Sequence, residues 1–236
     1  MSDTRHESSV TSSLRLAREN ARSLRGVLPR DAFEHINQAY LYATEAFQEP
    51  LSRTRRANGL QHTVERLQQI DGFLSSTMLH SDAWQFIRLG NFLERADMVT
   101  RIIDLPTTGL LRNHSELQPF HDTQWRSVLR SLDAMQGYTV TMQSPVNQPD
   151  VLEFLIKDPN LPRSLLRCLG AIRRGLRLLP KNSVPLAQIS AMNRQIQRAR
   201  VRSLSGPRLH RFVDARQKQL ATLHQKITNT YFPEID

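Results

Sequence analysis

The sequence has few of the features that stabilise secreted or membrane proteins. It contains one cysteine among 236 residues, so no disulfide can form within the chain and no zinc site can be built from cysteines alone. No apolar run approaches the roughly 20 residues that cross a bilayer, and the N-terminal residues are polar where a secretory signal needs an apolar core. These absences predict a soluble protein of a reducing compartment, and we expect a cytoplasmic location.

Common metal, phosphate and nucleophile motifs are also missing. None of the eight histidines follows a glutamate by three residues, so the Glu-x-x-His pairs of a helical di-iron site are absent. Neither H-E-x-x-H nor the two common glycine-rich phosphate loops occurs. His114 and His121 share a polar segment but are a weak metal signal, and Cys168 lies on an apolar helical stripe with Leu165 and Leu169, which predicts core packing. We therefore predict no metal, no cofactor and no catalytic residue.

Helical spacing of apolar residues dominates the rest of the chain. Glycine is scarce, with 9 residues, and the alternation typical of strands is not evident. Helices are predicted at about residues 10–25, 32–49, 60–78, 83–104 and 123–142, and four more begin near Pro149, Pro162, Pro185 and Pro207. The prediction is an all-α protein, a multi-helix bundle of about eight or nine helices without a sheet.

The boundaries of these helices follow from local signals. Asp31 and Glu34 have the spacing of a capping box for the second helix. The charged residues 53–58 are predicted to be a loop, and residues 106–119 have no period and form the best candidate boundary. One helical domain is predicted over residues 1–236, with two lobes as an open alternative. The lobes would comprise residues 8–105 and the basic residues 120–236.

Positive charge is concentrated near the C-terminus. The net charge is +10, and residues 161–236 carry 15 Lys and Arg against three acidic residues. This imbalance favours an anionic partner, although solvated helix surface is the simpler alternative. The predicted basic surface consists of Arg173, Arg174, Arg177, Arg194, Arg198 and Arg202, of which the last three have the spacing of one exposed helical ridge. Few aromatic residues are interleaved with them, which weakens single-strand nucleic-acid binding but leaves phosphate contacts open.

The predicted fourth helix is apolar on two nearly opposite sides, which is typical of a helix at the centre of a bundle. Glu94 projects beside Ile87 and Met98, where an unpaired carboxylate would suffer a large desolvation penalty. A cationic partner is therefore expected, from this helix or from the first. The candidate polar site consists of Arg18, Glu19, Asn20, Arg22, Arg88, Glu94 and Arg95. It is either a structural charge network or a pocket for an anion.

Three separated motifs carry a family resemblance. They are A-R-E-N-A-R at Ala17–Arg22, W-x-F-x-x-L-G-x-x-x-E-R-A-D at Trp84–Asp97, and D-x-x-x-P-R-S-x-x-x-C-L at Asp158–Leu169. These resemble the alpha-E family, bacterial all-helical proteins named for a Glu-Arg motif that falls here on Glu94 and Arg95. Members usually begin with a further helical segment carrying its own Glu-Arg motif, and we expect that segment to be absent here.

The resemblance implies a set of partner proteins and not a reaction. Proteins of this family are typically encoded beside, or fused to, circularly permuted ATP-grasp ligase-like and transglutaminase-like proteins. The leading hypothesis is a non-catalytic helical partner or scaffold of such a peptide-modifying system. One alternative is an enzyme in which Glu94, with Arg18, Arg22 or Arg95, forms an acid-base site inside the bundle. Another is a basic helical protein that binds nucleic acid. No membrane partner is expected, and a homo-oligomer is left open.

Overall fold

A computed structural model describes residues 9–48, 52–106 and 118–233. Over these ranges the secondary structure is helical without strands, which confirms the predicted all-α class. A short 3-10 helix at Val201–Ser203 accompanies ten α-helices, which are α1 (Val10–Ser23), α2 (Arg30–Ala46), α3 (Arg53–Thr77), α4 (Asp82–Asp104), α5 (Gln118–Ser131), α6 (Met135–Met142), α7 (Gln148–Lys157), α8 (Leu165–Leu178), α9 (Ser183–Arg198) and α10 (Gly206–Tyr231). Within the same ranges, no helix is both long and apolar enough to cross a membrane.

The count of ten α-helices differs from the predicted eight or nine because the predicted fifth helix is two helices. α5 ends at Ser131 and α6 begins at Met135. Between them Asp133 has a φ of 52°, and a residue in this left-handed region cannot continue a right-handed helix. Apolar residues keep helical spacing on both sides of the break, so periodicity alone does not reveal it.

Two helix starts also differ from the predictions. Residues 53–58 form the first turns of α3 instead of a loop. The side chain of Ser52 caps this helix by accepting a hydrogen bond of 3.2 Å from the backbone N–H of Arg55, as Ser commonly does. α2 begins directly after Pro29 without a side-chain cap, so Asp31 lies inside the first turn and the predicted capping box is wrong. Its carboxylate still stabilises the helix, because it lies near the positive end of the helix dipole.

The chain divides into two compact units, Met1–Trp84 and Gln85–Asp236. In the first unit α2 packs against both α1 and α3. The core of this unit is small and consists of Leu14, Ala39, Ala43 and Phe47. α2 and α3 approach closely at Gly59, where a Cβ atom would lie 3.0 Å from the Phe47 ring. The segment predicted as a lobe boundary lies mostly outside the described residues, so the division at 8–105 and 120–236 stays a prediction.

The core of the second unit surrounds α7, which packs against α5, α6, α8, α9 and the 3-10 helix. Side chains on all sides of α7 are buried: Val151, Leu152, Phe154, Leu155 and Ile156. The prediction that α4 has this central position is wrong. Leu89, Ala96 and Ile103 on one side of α4 are buried, but Met98 on the other side is 48% exposed. The second apolar face of α4 is therefore partly open to solvent, although Trp84 on this face is 5% exposed and Ile102 packs against the core.

The end of α6 provides a test of the fold. Gln143 ends this helix with a φ of 50°, a conformation that costs a residue with a Cβ atom but not glycine. We expect Gln143→Gly to raise the free energy of unfolding by about 0.5–1 kcal/mol, measured by urea denaturation. Gln143→Ala is the control and should give no gain. Equal midpoints for the wild type and the glycine variant would contradict this geometry.

Candidate functional site

The seven residues of the predicted polar site are distributed over both compact units. The first unit contains Arg18, Glu19, Asn20 and Arg22, and the second contains Arg88, Glu94 and Arg95. Asn20, Arg22, Arg88 and Glu94 are exposed, whereas Arg18, Glu19 and Arg95 are half-buried.

Three of the four residues on α1, Arg18, Glu19 and Arg22, form a charge network at the surface of the first unit, and among the described residues no contact of the Asn20 side chain joins it to them. Arg18 donates from Nε to Oδ1 of Asn37 at 2.6 Å and from Nη1 to Oε1 of Glu19 at 3.1 Å. Its guanidinium also lies 5.3 Å from the centre of the Tyr40 ring. Nη1 of Arg22 is 4.0 Å from Oε2 of Glu19. Because Asn37 and Tyr40 belong to α2, Arg18 ties α1 to α2, and this part of the predicted site fixes the packing of two helices.

The Glu-Arg pair on α4 does not form an ion pair. Glu94 is exposed, and its neighbours Ile87 and Met98 are half-buried and exposed. The predicted apolar environment of Glu94 is therefore wrong, because Glu94 and the neighbouring Met98 are both exposed to solvent. Within the described ranges, no ion pair joins Glu94 to Arg88 or Arg95. Consecutive helical residues point about 100° apart, so the side chains of Glu94 and Arg95 lie on different sides of α4.

Arg88 and Arg95 lie on the side of α4 that is next to α8. Their guanidinium groups lie 5.2 Å and 5.4 Å from the centre of the same ring, Phe92, at distances typical of cation–π contacts. α4 and α8 are in close contact, since a Cβ atom at Gly175 would lie 3.3 Å from Cδ2 of Leu89. This contact brings the two arginines of α4 near the arginines of α8.

α8 is rich in arginine and contains no acidic residue. We define the α4/α8 arginine cluster as Arg88, Arg95, Arg163, Arg167, Arg173 and Arg174. Within the described part of the chain, the last four of these form no ion pair. Nε of Arg173 is buried and makes no hydrogen bond to a described residue.

The members of this cluster act on one another electrostatically. Burial lowers the pKa of Arg174 from its usual value, and the positive charges of Arg167, Arg88 and Arg173 lower it further. Like charges so close together destabilise one another. A negatively charged group bound at this face would relieve the repulsion. Arg177 is also exposed and lies in the last turn of α8.

Cys168 shows that the cluster extends to the start of α8. Its side chain is fully buried, which confirms the predicted core packing. Burial raises the pKa of the Cys168 thiol to about 11, although the charges of Arg95, Arg163 and Arg167 act in the opposite direction. These three arginines therefore surround the first turn of α8, and the thiol between them is neutral and inaccessible.

The ridge predicted for Arg194, Arg198 and Arg202 is interrupted. Arg194 and Arg198 are exposed on α9, which ends at Arg198. Arg202 lies in the 3-10 helix, where its guanidinium donates a hydrogen bond to Asp150 at the start of α7. The prediction of a continuous ridge is wrong because the chain leaves the helix at Ala199, which has extended backbone angles.

A groove between α4 and α10 contains residues that the sequence did not single out. Its volume is about 360 Å³, and its ionisable lining consists of Glu94, Asp97, Arg101, Asp214, Lys218 and His224. The hydrogen bond that Arg101 donates to Asp97 and the charge of that carboxylate raise the pKa of Arg101, and Glu94 adds a smaller effect. Only the packing of α10 against the core brings residues more than 110 positions apart to one groove, so no local signal could predict it.

Comparison with known families supports the resemblance. Residues 1–232 match the family model Alpha-E, described as a predicted alpha-helical domain with a conserved ER motif. The match covers nearly the whole chain, in which Glu-Arg occurs twice, at Glu65-Arg66 and at Glu94-Arg95. No curated protein and no solved structure matches the chain.

The environment of Cys168 predicts slow thiol chemistry. Because the thiolate is the reactive form, a buried thiol with a pKa of about 11 should react with a disulfide reagent at least roughly a hundredfold more slowly in the folded protein than in denaturant. The release of the coloured thiol from the reagent, followed at about pH 8, measures both rates. Comparable rates would show that Cys168 is accessible.

The contact between Asp150 and Arg202 predicts a pH dependence of stability. Hydrogen bonds from Asn147 and Ser144 and the charge of Arg202 hold the pKa of Asp150 below its usual value of 3.8, against the effect of burial. The ionised form therefore stabilises the folded state above that value, and this contribution is lost as the pH falls through the lowered pKa.

We expect Asp150→Asn to lower the melting temperature at about pH 7 and to have much less effect at about pH 2.5, measured by circular dichroism. Asp133→Asn, at an exposed carboxylate, is the control. A difference for Asp150→Asn that is independent of pH would contradict the stabilising role of the charge.

Proposed function

Since the chain belongs to the Alpha-E family of helical domains, we propose that it is a non-catalytic helical partner or scaffold of a peptide-modifying system. In this proposal the protein it binds is a circularly permuted ATP-grasp ligase-like protein, a transglutaminase-like protein, or both. The observation that supports it is the α4/α8 arginine cluster, in which four arginines form no ion pair with any described residue.

The chemistry of the cluster favours carboxylates on a polypeptide. A guanidinium group is planar and donates two parallel hydrogen bonds to one carboxylate, which gives orientation as well as energy. A single exposed ion pair contributes only about 0–1 kcal/mol, so useful affinity requires several arginines on one face. Arg163, Arg167, Arg173 and Arg174 of the cluster provide such a group, because none of these four forms an ion pair with a described residue. An acidic segment or protein face is therefore the expected ligand, and charge would also steer its association.

The two alternative functions have weaker support. An acid-base site would require Glu94 to lie in a buried environment with a cationic partner, but Glu94 is exposed and is not paired with Arg95. Nucleic-acid binding would use the same arginines, yet Phe92 is the one aromatic ring between Arg88 and Arg95, and it is half-buried. Exposed rings on which bases can stack are characteristic of proteins that bind single strands.

Neutralising two exposed arginines of α8 tests the proposal. We expect Arg167→Gln with Arg174→Gln to weaken binding of a fluorescein-labelled octaglutamate peptide about tenfold, because two ion pairs of about 0.7 kcal/mol each are lost. Fluorescence anisotropy at about 50 mM salt, where charges are little screened, gives the affinity. The matched control is Arg194→Gln with Arg198→Gln on α9, which removes the same charge. Equal losses in both double variants would mean that only net charge matters.

A pull-down from the native host identifies the partner. The wild-type protein is used as bait after nuclease treatment, and bound proteins are identified by mass spectrometry. We expect recovery of an ATP-grasp-like or transglutaminase-like protein, with loss in the α8 double variant and retention in the α9 control. Loss of all specific partners on nuclease treatment would overturn the proposal and indicate a nucleic-acid surface.

A further inference from the structure

The groove between α4 and α10 lies on the side of α4 that Glu94 faces. Leu93, Leu220 and Ala221 provide apolar surface in this groove. Leu220 is 4% exposed, and Leu93 packs against the core of the second unit. The apolar floor of the groove therefore includes the buried Leu220 and the core-packed Leu93, and the charged residues lie around it.

The charges of the groove are unequal. Nε of Arg101 lies 2.6 Å from Oδ2 of Asp97 on α4, and Nζ of Lys218 lies 2.8 Å from Oδ2 of Asp214 on α10. Each cation is thus paired with a carboxylate one turn earlier on its own helix. Glu94 forms no ion pair with any residue that the structure describes. The groove has one carboxylate in excess, although the net charge of the chain is +10.

We propose that the α4/α10 groove binds one lysine or arginine side chain of a partner polypeptide, with its aliphatic stem on Leu93 and Leu220 and its cationic head at Glu94. Both side chains combine an apolar stem with a charged tip, which matches an apolar floor below a single carboxylate. The volume of about 360 Å³ is at the lower end of the range of about 300–1,000 Å³ for ligand sites. It accommodates one side chain better than a nucleotide or a large cofactor.

This site goes beyond the proposed function because it binds the opposite charge on a different face of α4. The arginine cluster selects acidic groups, and the groove selects one basic side chain. A partner segment that carries both kinds of residue would be held in one orientation along α4. Binding of a basic side chain at the groove can nevertheless occur whether or not the arginine cluster binds an acidic partner.

Titration with a small peptide tests the groove directly. The probe is a blocked Gly-Lys-Gly peptide, added to ¹⁵N-labelled full-length protein and followed by amide chemical shifts. We expect shifts concentrated near Glu94, Asp97, Asp214 and Lys218. Glu94→Gln should weaken the affinity about tenfold, since a hydrogen bond to a charged group is lost. The matched control, Glu65→Gln, removes the same charge from an exposed position on α3 and should leave the affinity unchanged.

A second variant and a second probe distinguish the groove from general charge attraction. Ala221 is exposed and lines the groove, so Ala221→Phe fills it without changing any charge and should abolish binding. The same peptide with an acetylated lysine should not bind. Shifts spread over the surface, equal affinity in Glu94→Gln, or equal affinity of the acetylated probe would overturn the proposal.

The two proposals fail independently in these assays. Arg167→Gln with Arg174→Gln should leave the affinity for the lysine peptide unchanged, and Glu94→Gln should leave the affinity for octaglutamate unchanged. Loss of both affinities in either variant would mean that the variant has altered the fold of the second unit, and its melting temperature would show this. With an unchanged melting temperature, such a joint loss would contradict the separate groove.

Discussion

The contact between Leu89 and Gly175 determines how the arginines of the second unit are arranged. Because glycine has no side chain, α4 and α8 can approach until Cδ2 of Leu89 lies only 3.3 Å from where a Cβ atom of residue 175 would be. Arg88 precedes Leu89 in the chain, and Arg174 precedes Gly175, so the same contact brings their guanidinium groups within electrostatic range. Close packing of two apolar positions thus brings together charges that would separate if the helices moved apart.

The position of α4 explains why two consecutive residues can have separate roles. A helix turns by about 100° per residue, so a Glu-Arg dipeptide on a helix with two accessible sides presents opposite charges in different directions. Arg95 faces the start of α8, and Glu94 faces α10. The same dipeptide on the buried side of a helix such as α7 would have to be paired to offset its desolvation.

The sequence predicts the fold class and several features of the surface, but not how they combine. Helical periodicity identifies nearly every helix, and it fails at Asp133, where one residue adopts a left-handed conformation without glycine as a signal. The excess of Lys and Arg in residues 161–236 correctly indicates a basic surface that includes the arginines of α8. The environment of Glu94 was predicted incorrectly because periodicity shows which faces of a helix are apolar, not which faces its neighbours cover. The groove with α10 depends on tertiary packing of distant segments.

The unpaired arginines of α8 also affect the energetics of the isolated chain. The charges of Arg167 and Arg173 act on Arg174, and repulsion between like charges of this kind opposes the compact state. The acidic partner proposed above would remove this repulsion in addition to stabilising the fold by mass action. Cellular abundance of the protein would then follow the supply of its partner, because unbound copies unfold and are degraded more readily.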